Sequence, residues 1–337
     1  MAEAPWRLLV LAPLADQAVD LLAGHLPLAP FRAGGTDAAA LQDALPEAEL
    51  VLGDWRLASA GLDAAAVAAA PRLVLVLQPS VGVQSHDADA LAAAGIPLAN
   101  APGFNTASVA EWAIGALLSV LRQLRWAEDE LRAGRWPQSD VIEHVPGELA
   151  GRRVAIVGFG DIGQALAARL AAFGCPVSYW SRHQRPPELE HGACYVADVD
   201  ALVAAADVLI NAVALAPATR GLLSAGRLAA LPQGAVVVNA SRGGIVDEDA
   251  LARLLHEGHL AAAALDVYDL EPLPADSPLR TAPRCLLTPH VAGSTPQAQQ
   301  RLTSAVVDGL RAAVSGEPVA GVVNGVDPLV RRRGAGN

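Results

Sequence analysis

The sequence predicts an α/β fold of two doubly wound, parallel-sheet domains, one inserted within the other. Two observations carry that prediction. Short apolar runs alternate with helical stretches along the chain, the mark of repeated strand–helix–strand units. The chain also has 337 residues, past the roughly 250–300 at which single cores stop growing, and 53% of them are hydrophobic, ample for two cores.

In the first hundred residues, strands are expected at 7–11, 50–52, 73–77 and 97–99, with helices over 17–22, 37–45 and 87–94. A long helical segment follows over 108–134, where Ala113, Leu117, Val120, Leu121 and Leu124 recur at helical spacing. Six further strands are expected at 153–157, 177–180, 208–210, 235–238, 261–265 and 285–287. A last helix, about 296–314, is expected to return to the first domain. This reading gives residues 1–104 and 291–330 to an outer domain and 105–290 to the inserted one. Residues 331–337, with three arginines and no apolar periodicity, read as a disordered, solvated tail.

The first strand of the second series runs into Gly158-Phe-Gly160-Asp161-Ile162-Gly163 and then a helix. In a strand–turn–helix of this kind the first glycine permits the tight turn and the second admits a pyrophosphate. The third allows close helix–strand packing, and the helix amino terminus at Asp161-Ile162 faces the phosphate. A lone motif of this form is weak, but the flanking strand, the helix and the later strands make it a Rossmann-like dinucleotide site. The next strand ends in Tyr179-Trp-Ser181-Arg182-His183-Gln-Arg185, without the carboxylate that NAD sites place against the ribose hydroxyls. A hydroxyl and guanidinium groups suit an added 2′-phosphate, so NADP(H) is expected in preference to NAD(H).

Three polar residues end apolar runs in the same half. Arg242 follows 235–238, Glu271 follows 264–270 and His290 follows 285–289. Ligands of open parallel sheets bind at the carboxyl ends of strands, so a cation, a carboxylate and an imidazole would meet at one rim. Composition narrows the partners. A net charge of -11 argues against nucleic acid and anionic membranes. No stretch reaches the ~20 apolar residues that span a bilayer. The cysteines, Cys175, Cys194 and Cys285, match no zinc or redox spacing, so buried reduced thiols, no metal and a cytoplasmic setting are expected.

From about Gly82 to Ser294 the chain resembles the D-isomer-specific 2-hydroxyacid dehydrogenase family, which includes glyoxylate/hydroxypyruvate reductases and phosphoglycerate dehydrogenase. The resemblance lies in 95–105, Ser108-Val-Ala-Glu111, Gly147-Glu-Leu-Ala-Gly-Arg152, the glycine motif and Pro217-Ala-Thr219. It continues through 239–247, Ala264-Leu-Asp266-Val-Tyr-Asp-Leu-Glu271-Pro272 and Thr288-Pro-His290-Val-Ala-Gly-Ser294. It implies an NAD(P)-dependent reductase of 2-ketoacids to D-2-hydroxyacids, acting on a small molecule. His290 would be the general acid/base, Glu271 its partner, and Arg242 the group holding the substrate carboxylate. Backbone N–H groups of Ser80, Val81 and Gly82 would take the carboxylate's other side, and Trp55 would wall the side-chain pocket. The cofactor contacts implied are Val109, the glycine motif, Ser181, Arg182, Val213, Thr219, Ala240, Arg242, Asp266, His290 and Gly293, with Asp266 orienting the nicotinamide carboxamide.

A homodimer through about 105–146 is implied too, with Trp112, Trp126 and Trp136 in the interface. One departure stands out: the family's Gly-x-Asp turn reads Gly82-Val-Gln84 here. Readings left open are a specialised ketoacid or phosphite-like substrate and a dinucleotide-sensing corepressor. Formate-type members carry glutamine where this chain has Glu271.

Overall fold

The computed structural model describes residues 4–11, 24–35, 37–54 and 61–333. The helix expected at 17–22, Trp55 and the last four tail residues lie outside them. The chain divides into two compact units, one of residues 1–104 with 296–337 and the other of 105–295.

The first unit carries a five-stranded, all-parallel sheet of β1 (Trp6–Val10), β2 (Leu28–Phe31), β3 (Leu50–Leu52), β4 (Leu75–Leu77) and β5 (Leu98–Ala99), in the order β2-β1-β3-β4-β5. β2 escaped the sequence reading: Leu28-Ala-Pro-Phe is short, contains proline and sits at the sheet edge, where a missing N–H is tolerated. Three helices, Ala38–Ala44, Ala64–Ala68 and Ala88–Ala93, open on Asp37, Asp63 and Asp87, each accepting a backbone N–H three residues on. The helix Pro296–Ser315 packs Leu302, Val306, Leu310 and Ala313 into the core with Leu50, Leu75 and Leu77. Gly309 makes that approach close, since a Cβ there would sit 3.2 Å from Leu77.

Arg332, expected in a solvated tail, is instead held by the fold. Arg332 donates to the buried Glu49 carboxylate at 3.0 Å, and its guanidinium lies 4.5 Å from the Trp6 ring centroid. Burial raises the Glu49 pKa, but bonds from the Arg7 N–H, Arg332 and Arg72 outweigh it and hold the carboxyl below its ordinary value. A buried carboxylate needs such partners, and the tail supplies one.

The second unit holds seven parallel strands: β6 (Val154–Val157), β7 (Val177–Trp180), β8 (Cys194–Tyr195), β9 (Val208–Asn211), β10 (Ala235–Asn239), β11 (Leu260–Leu265) and β12 (Cys285–Leu287). Their order is β12-β11-β10-β9-β6-β7-β8. The extra strand, β8, is a two-residue edge piece too short to leave a sequence signal. It carries Cys194, which is exposed rather than buried as expected. The direction of winding reverses at β6 and β9, the place where doubly wound sheets bind ligands. The single helix expected over 108–134 is two, Thr106–Leu121 and Leu124–Arg132, broken at Gln123 in a left-handed conformation (φ 48°). The first is buried along Ala110, Ala113 and Leu117, whereas the second buries no residue. The unit ends at Thr295, beyond His290, because Val291 and Ala292 bond Asp266 and Thr295 bonds Ser108.

Candidate active site

The glycine turn after β6 has the shape its sequence demands. Gly158 has φ 97°, and a Cβ there would lie 2.4 Å from the Val213 backbone. At Gly163 a Cβ would lie 2.4 Å from the Gly158 carbonyl oxygen, whereas at Gly160 it would meet nothing within 4 Å. The helix Asp161–Ala171 begins at Gly160 with no side-chain cap, so its first N–H groups remain available to a ligand. Space at Gly160, close packing at Gly158 and Gly163, and an uncapped helix end fit a dinucleotide pyrophosphate.

Beyond β7 the loop turns one of its hydroxyls inward. The Ser181 hydroxyl is buried and donates to the His183 carbonyl at 2.6 Å, bracing its own loop instead of facing outward. Arg182 is exposed. Arg185, also exposed, donates from Nε to the Phe159 carbonyl of the glycine turn at 3.0 Å, and its N–H donates to the Tyr179 hydroxyl. No carboxylate follows β7 directly, and Glu190 accepts from Tyr179 and Gln184. Among the other expected cofactor contacts, Val109 and Thr219 are buried, the latter shaping its loop through bonds to Ala214 and Ala216. Val213 and Ala240 are half-buried.

The Arg242, Glu271 and His290 side chains converge at the carboxyl ends of β10, β11 and β12. Nδ1 of His290 and Oε2 of Glu271 are 2.7 Å apart, and Oε1 of Glu271 accepts the Tyr268 N–H at 3.1 Å. Burial pushes the Glu271 carboxyl up, but the His290 and Tyr268 bonds, with the His290 and Arg242 charges, hold it below its ordinary value. A carboxylate at Nδ1 leaves Nε2 of the ring outward, and Nε2 has no partner among the described residues. Arg242 is half-buried and donates to the Ser241 carbonyl at 2.7 Å. Burial lowers its pKa, and the Glu271 charge counters that.

His290 stands in a left-handed conformation (φ 53°), unusual for a side chain of its size. Asp266 explains how it is held there. Only 1% exposed, Asp266 accepts from the Thr288 hydroxyl at 2.5 Å, from Val291 N–H at 2.8 Å and from Ala292 N–H at 2.7 Å, and its carbonyl accepts the His290 N–H at 2.8 Å. Sequence reasoning gave Asp266 to the cofactor and missed this bracing. Three of the carboxylate's roughly four acceptor positions are taken by the protein. Tyr268 was missed as well: its buried hydroxyl donates to the Thr288 carbonyl at 2.9 Å, tying β11 to the His290 turn. Asn105 is a third omission, with its Oδ1 buried and unbonded among the described residues and its Nδ2 against Gly293. A pocket of about 520 Å³ opens on Tyr268, Glu271, Leu273, Leu287 and His290.

In the first unit, the Ser80–Gly82 turn after β4 has every carbonyl drawn inward. Ser80 O accepts the Ala101 N–H, Val81 O accepts Asn100 Nδ2 at 2.7 Å and Gly82 O accepts the Ser80 hydroxyl at 2.6 Å. The Val81 and Gly82 N–H groups have no partner among the described residues, and Val81 is exposed. Successive unpaired amides in a turn are a feature that can receive an anion. No group of three or more His, Cys, Asp or Glu placed to hold a metal occurs among the described residues, nor any helix long and apolar enough to cross a membrane.

A doubly wound sheet, a glycine turn with room for a pyrophosphate and an imidazole–carboxylate pair at the strand ends define an α/β protein of the dinucleotide-binding type. The sequence profile of the D-isomer specific 2-hydroxyacid dehydrogenase NAD binding domain matches residues 114–292. The chain belongs to that family. It is 39% identical over 86% of its length to D-3-phosphoglycerate dehydrogenase of Mycobacterium leprae, and spans about half (54%) of that protein. Against glyoxylate/hydroxypyruvate reductase B of Klebsiella pneumoniae it is 33% identical, covering 84% of this chain and 86% of that one. Among solved structures, the NADPH-dependent glyoxylate/hydroxypyruvate reductase of Sinorhizobium meliloti, in complex with NADP and malonate, superposes with a TM-score of 0.85. The identity there is 32%, over 98% of this chain and 100% of that one.

Proposed function

We propose that the chain is a reductase of 2-ketoacids to D-2-hydroxyacids that prefers NADPH to NADH. The observation that carries this reading is the 2.7 Å contact between His290 Nδ1 and Glu271 in the same strand-end cluster as Arg242. Bound at the glycine turn, NAD(P)H would supply the hydride that reduces the ketoacid carbonyl. His290 delivers a proton from Nε2 to the carbonyl oxygen, and takes it back in the reverse direction. Glu271 fixes the tautomer and stabilises the imidazolium, which its ionised state at neutral pH allows. Arg242 grips the substrate carboxylate, its fork matching two oxygens. We also read the Val81 and Gly82 amides as a receiver for a carboxylate. Asp266 keeps one acceptor position for the nicotinamide carboxamide while it braces the His290 turn.

The cofactor preference rests on Arg182 and Arg185 standing where a carboxylate would select NADH. A homodimer is proposed through 105–146, where Leu124, Leu131, Trp136 and Ile142 are exposed, Trp136 by 76% and Ile142 by 80%. Trp112, by contrast, packs on the unit's own core. The test follows reduced-nicotinamide absorbance with glyoxylate, hydroxypyruvate, pyruvate, phenylpyruvate and 2-ketoisovalerate, NADPH and NADH side by side. Turnover with any of them that falls by about 10²–10⁴ in His290→Ala is expected. Silence across the panel from protein that binds NADPH would sink the reading. Arg182→Ala should raise KM for NADPH more than for NADH, and equal effects would remove the cofactor preference.

A further inference from the structure

A hydrogen-bond chain with one permitted direction runs through the first unit. The Leu62 N–H donates to Nδ1 of His86 at 3.2 Å. That nitrogen therefore carries no proton, and the proton sits on Nε2, 2.9 Å from Oε1 of Gln78. With its oxygen accepting, the Gln78 amide donates both its protons, to the Asp54 carbonyl at 3.1 Å and the Ser80 hydroxyl at 3.0 Å. Ser80, accepting there, passes its own proton to the Gly82 carbonyl at 2.6 Å. Every donor in the chain meets an acceptor.

The place of this chain gives it consequence. Asp54 lies in the loop after β3, and Ser80–Gly82 is the turn after β4, both at carboxyl ends of strands. Gly53 lies so close that a Cβ would fall 1.9 Å from Oε1 of Gln78. His86 and Gln78 are 7% and 0% exposed, so solvent is a poor substitute for a lost partner. An aliphatic side chain would serve packing at either position; only a matched polar pair transmits direction to the turn.

We propose that His86 and Gln78 are positioning residues for substrate, locking the 53–54 loop and the Ser80–Gly82 turn into one body so that the Val81 and Gly82 amides stay turned outward. The proposal rests on the reading that those amides receive the substrate carboxylate. Burial also pushes the His86 imidazole down to about 4, so it stays neutral near pH 7, as the Leu62 bond requires.

The test uses the full chain with His86→Leu, Gln78→Met and the double variant. Steady-state kinetics with NADPH and the ketoacid found by the panel are joined to inhibition by oxamate and to hydrogen exchange over residues 79–85. Each single variant should raise KM and the oxamate inhibition constant about ten-fold, roughly one misplaced hydrogen bond. Turnover and NADPH affinity should stay within about two-fold, and exchange over 79–85 should quicken. The double variant should be no worse than either single, because one cut already breaks the chain. His86→Gln, whose amide both accepts and donates, should restore KM, and it carries the test if His86→Leu does not fold. Unchanged KM, additive effects, or a fall in turnover at constant KM would overturn the proposal. Should the wild type reduce no ketoacid, the functional reading fails, and exchange then decides alone: unchanged protection over 79–85 in folded variants overturns the relay.

Discussion

The two turns that we read as receiving anions, one in each unit, are built by opposite means. The glycine turn at 158–163 is fixed by exclusion: a Cβ at Gly158 or Gly163 would lie 2.4 Å from backbone, so only glycine fits. The Ser80–Gly82 turn is fixed by attachment, its carbonyls held by Ala101, Asn100 and the Ser80 hydroxyl. Exclusion makes a turn that is rigid and intolerant. Attachment makes one whose geometry depends on side chains elsewhere in the sequence.

The largest effect expected from this contrast is at Gly158. Gly158→Ala forces a side chain into φ 97° and onto the Val213 backbone, which should cost about 2–4 kcal/mol of stability together with measurable NADPH binding. Gly160→Ala is the sharper experiment. Its Cβ meets no protein atom within 4 Å, so stability should change by less than about 1 kcal/mol while NADPH affinity falls. Melting temperature and cofactor fluorescence titration separate the two quantities. If Gly160→Ala melts early but binds normally, the open space there is not the phosphate's.

The same contrast explains what could be read from the sequence. The glycine turn was legible because exclusion writes itself into a fixed spacing of one residue type. The placement of Arg242, Glu271 and His290 at strand ends was legible because each closes an apolar run. The braces were not. The bracing role of Asp266 was hidden because no local pattern reveals that its carboxylate reaches the Val291 and Ala292 amides. The Ser181 bond to His183 was hidden too, because a strand-end hydroxyl in a sequence carries no sign that it will turn back on its own loop. β2 and β8 were missed because four and two residues at a sheet edge bury too little to show a pattern.

A smaller effect is expected at the attached turn. Asn100→Ala releases the Val81 carbonyl, now held at 2.7 Å, and should raise ketoacid KM about ten-fold with turnover nearly unchanged. Stopped-flow NADPH binding should not respond. A loss of NADPH affinity as large as the rise in KM would mean that the two turns are not independent, and would break the comparison.

The smallest effect lies on the pH axis, where one displaced titratable brace of the first unit opposes one of the second. In the first, burial brings His86 down to about 4 from 6.5. Between those values the unfolded chain binds the extra proton, so His86 makes stability rise with pH. In the second unit Glu248 accepts the Asp269 N–H at 2.6 Å beside the Arg242 loop. Burial, reinforced by the charges of Asp269 and Asp249, pushes it up to about 7 from 4.5 despite that bond. Here the folded chain binds the extra proton, so Glu248 makes stability fall as pH rises from 4.5 to about 7. The two slopes oppose each other over pH 4.5–6.5, and the wild-type melting temperature should vary less there than either group alone would require. Glu248→Gln removes one of them, so its melting temperature should climb with pH across that window more steeply than the wild type's. Parallel curves for the two proteins would show that the Glu248 carboxyl is not held neutral, and that the second unit's loops are fixed without a buried proton.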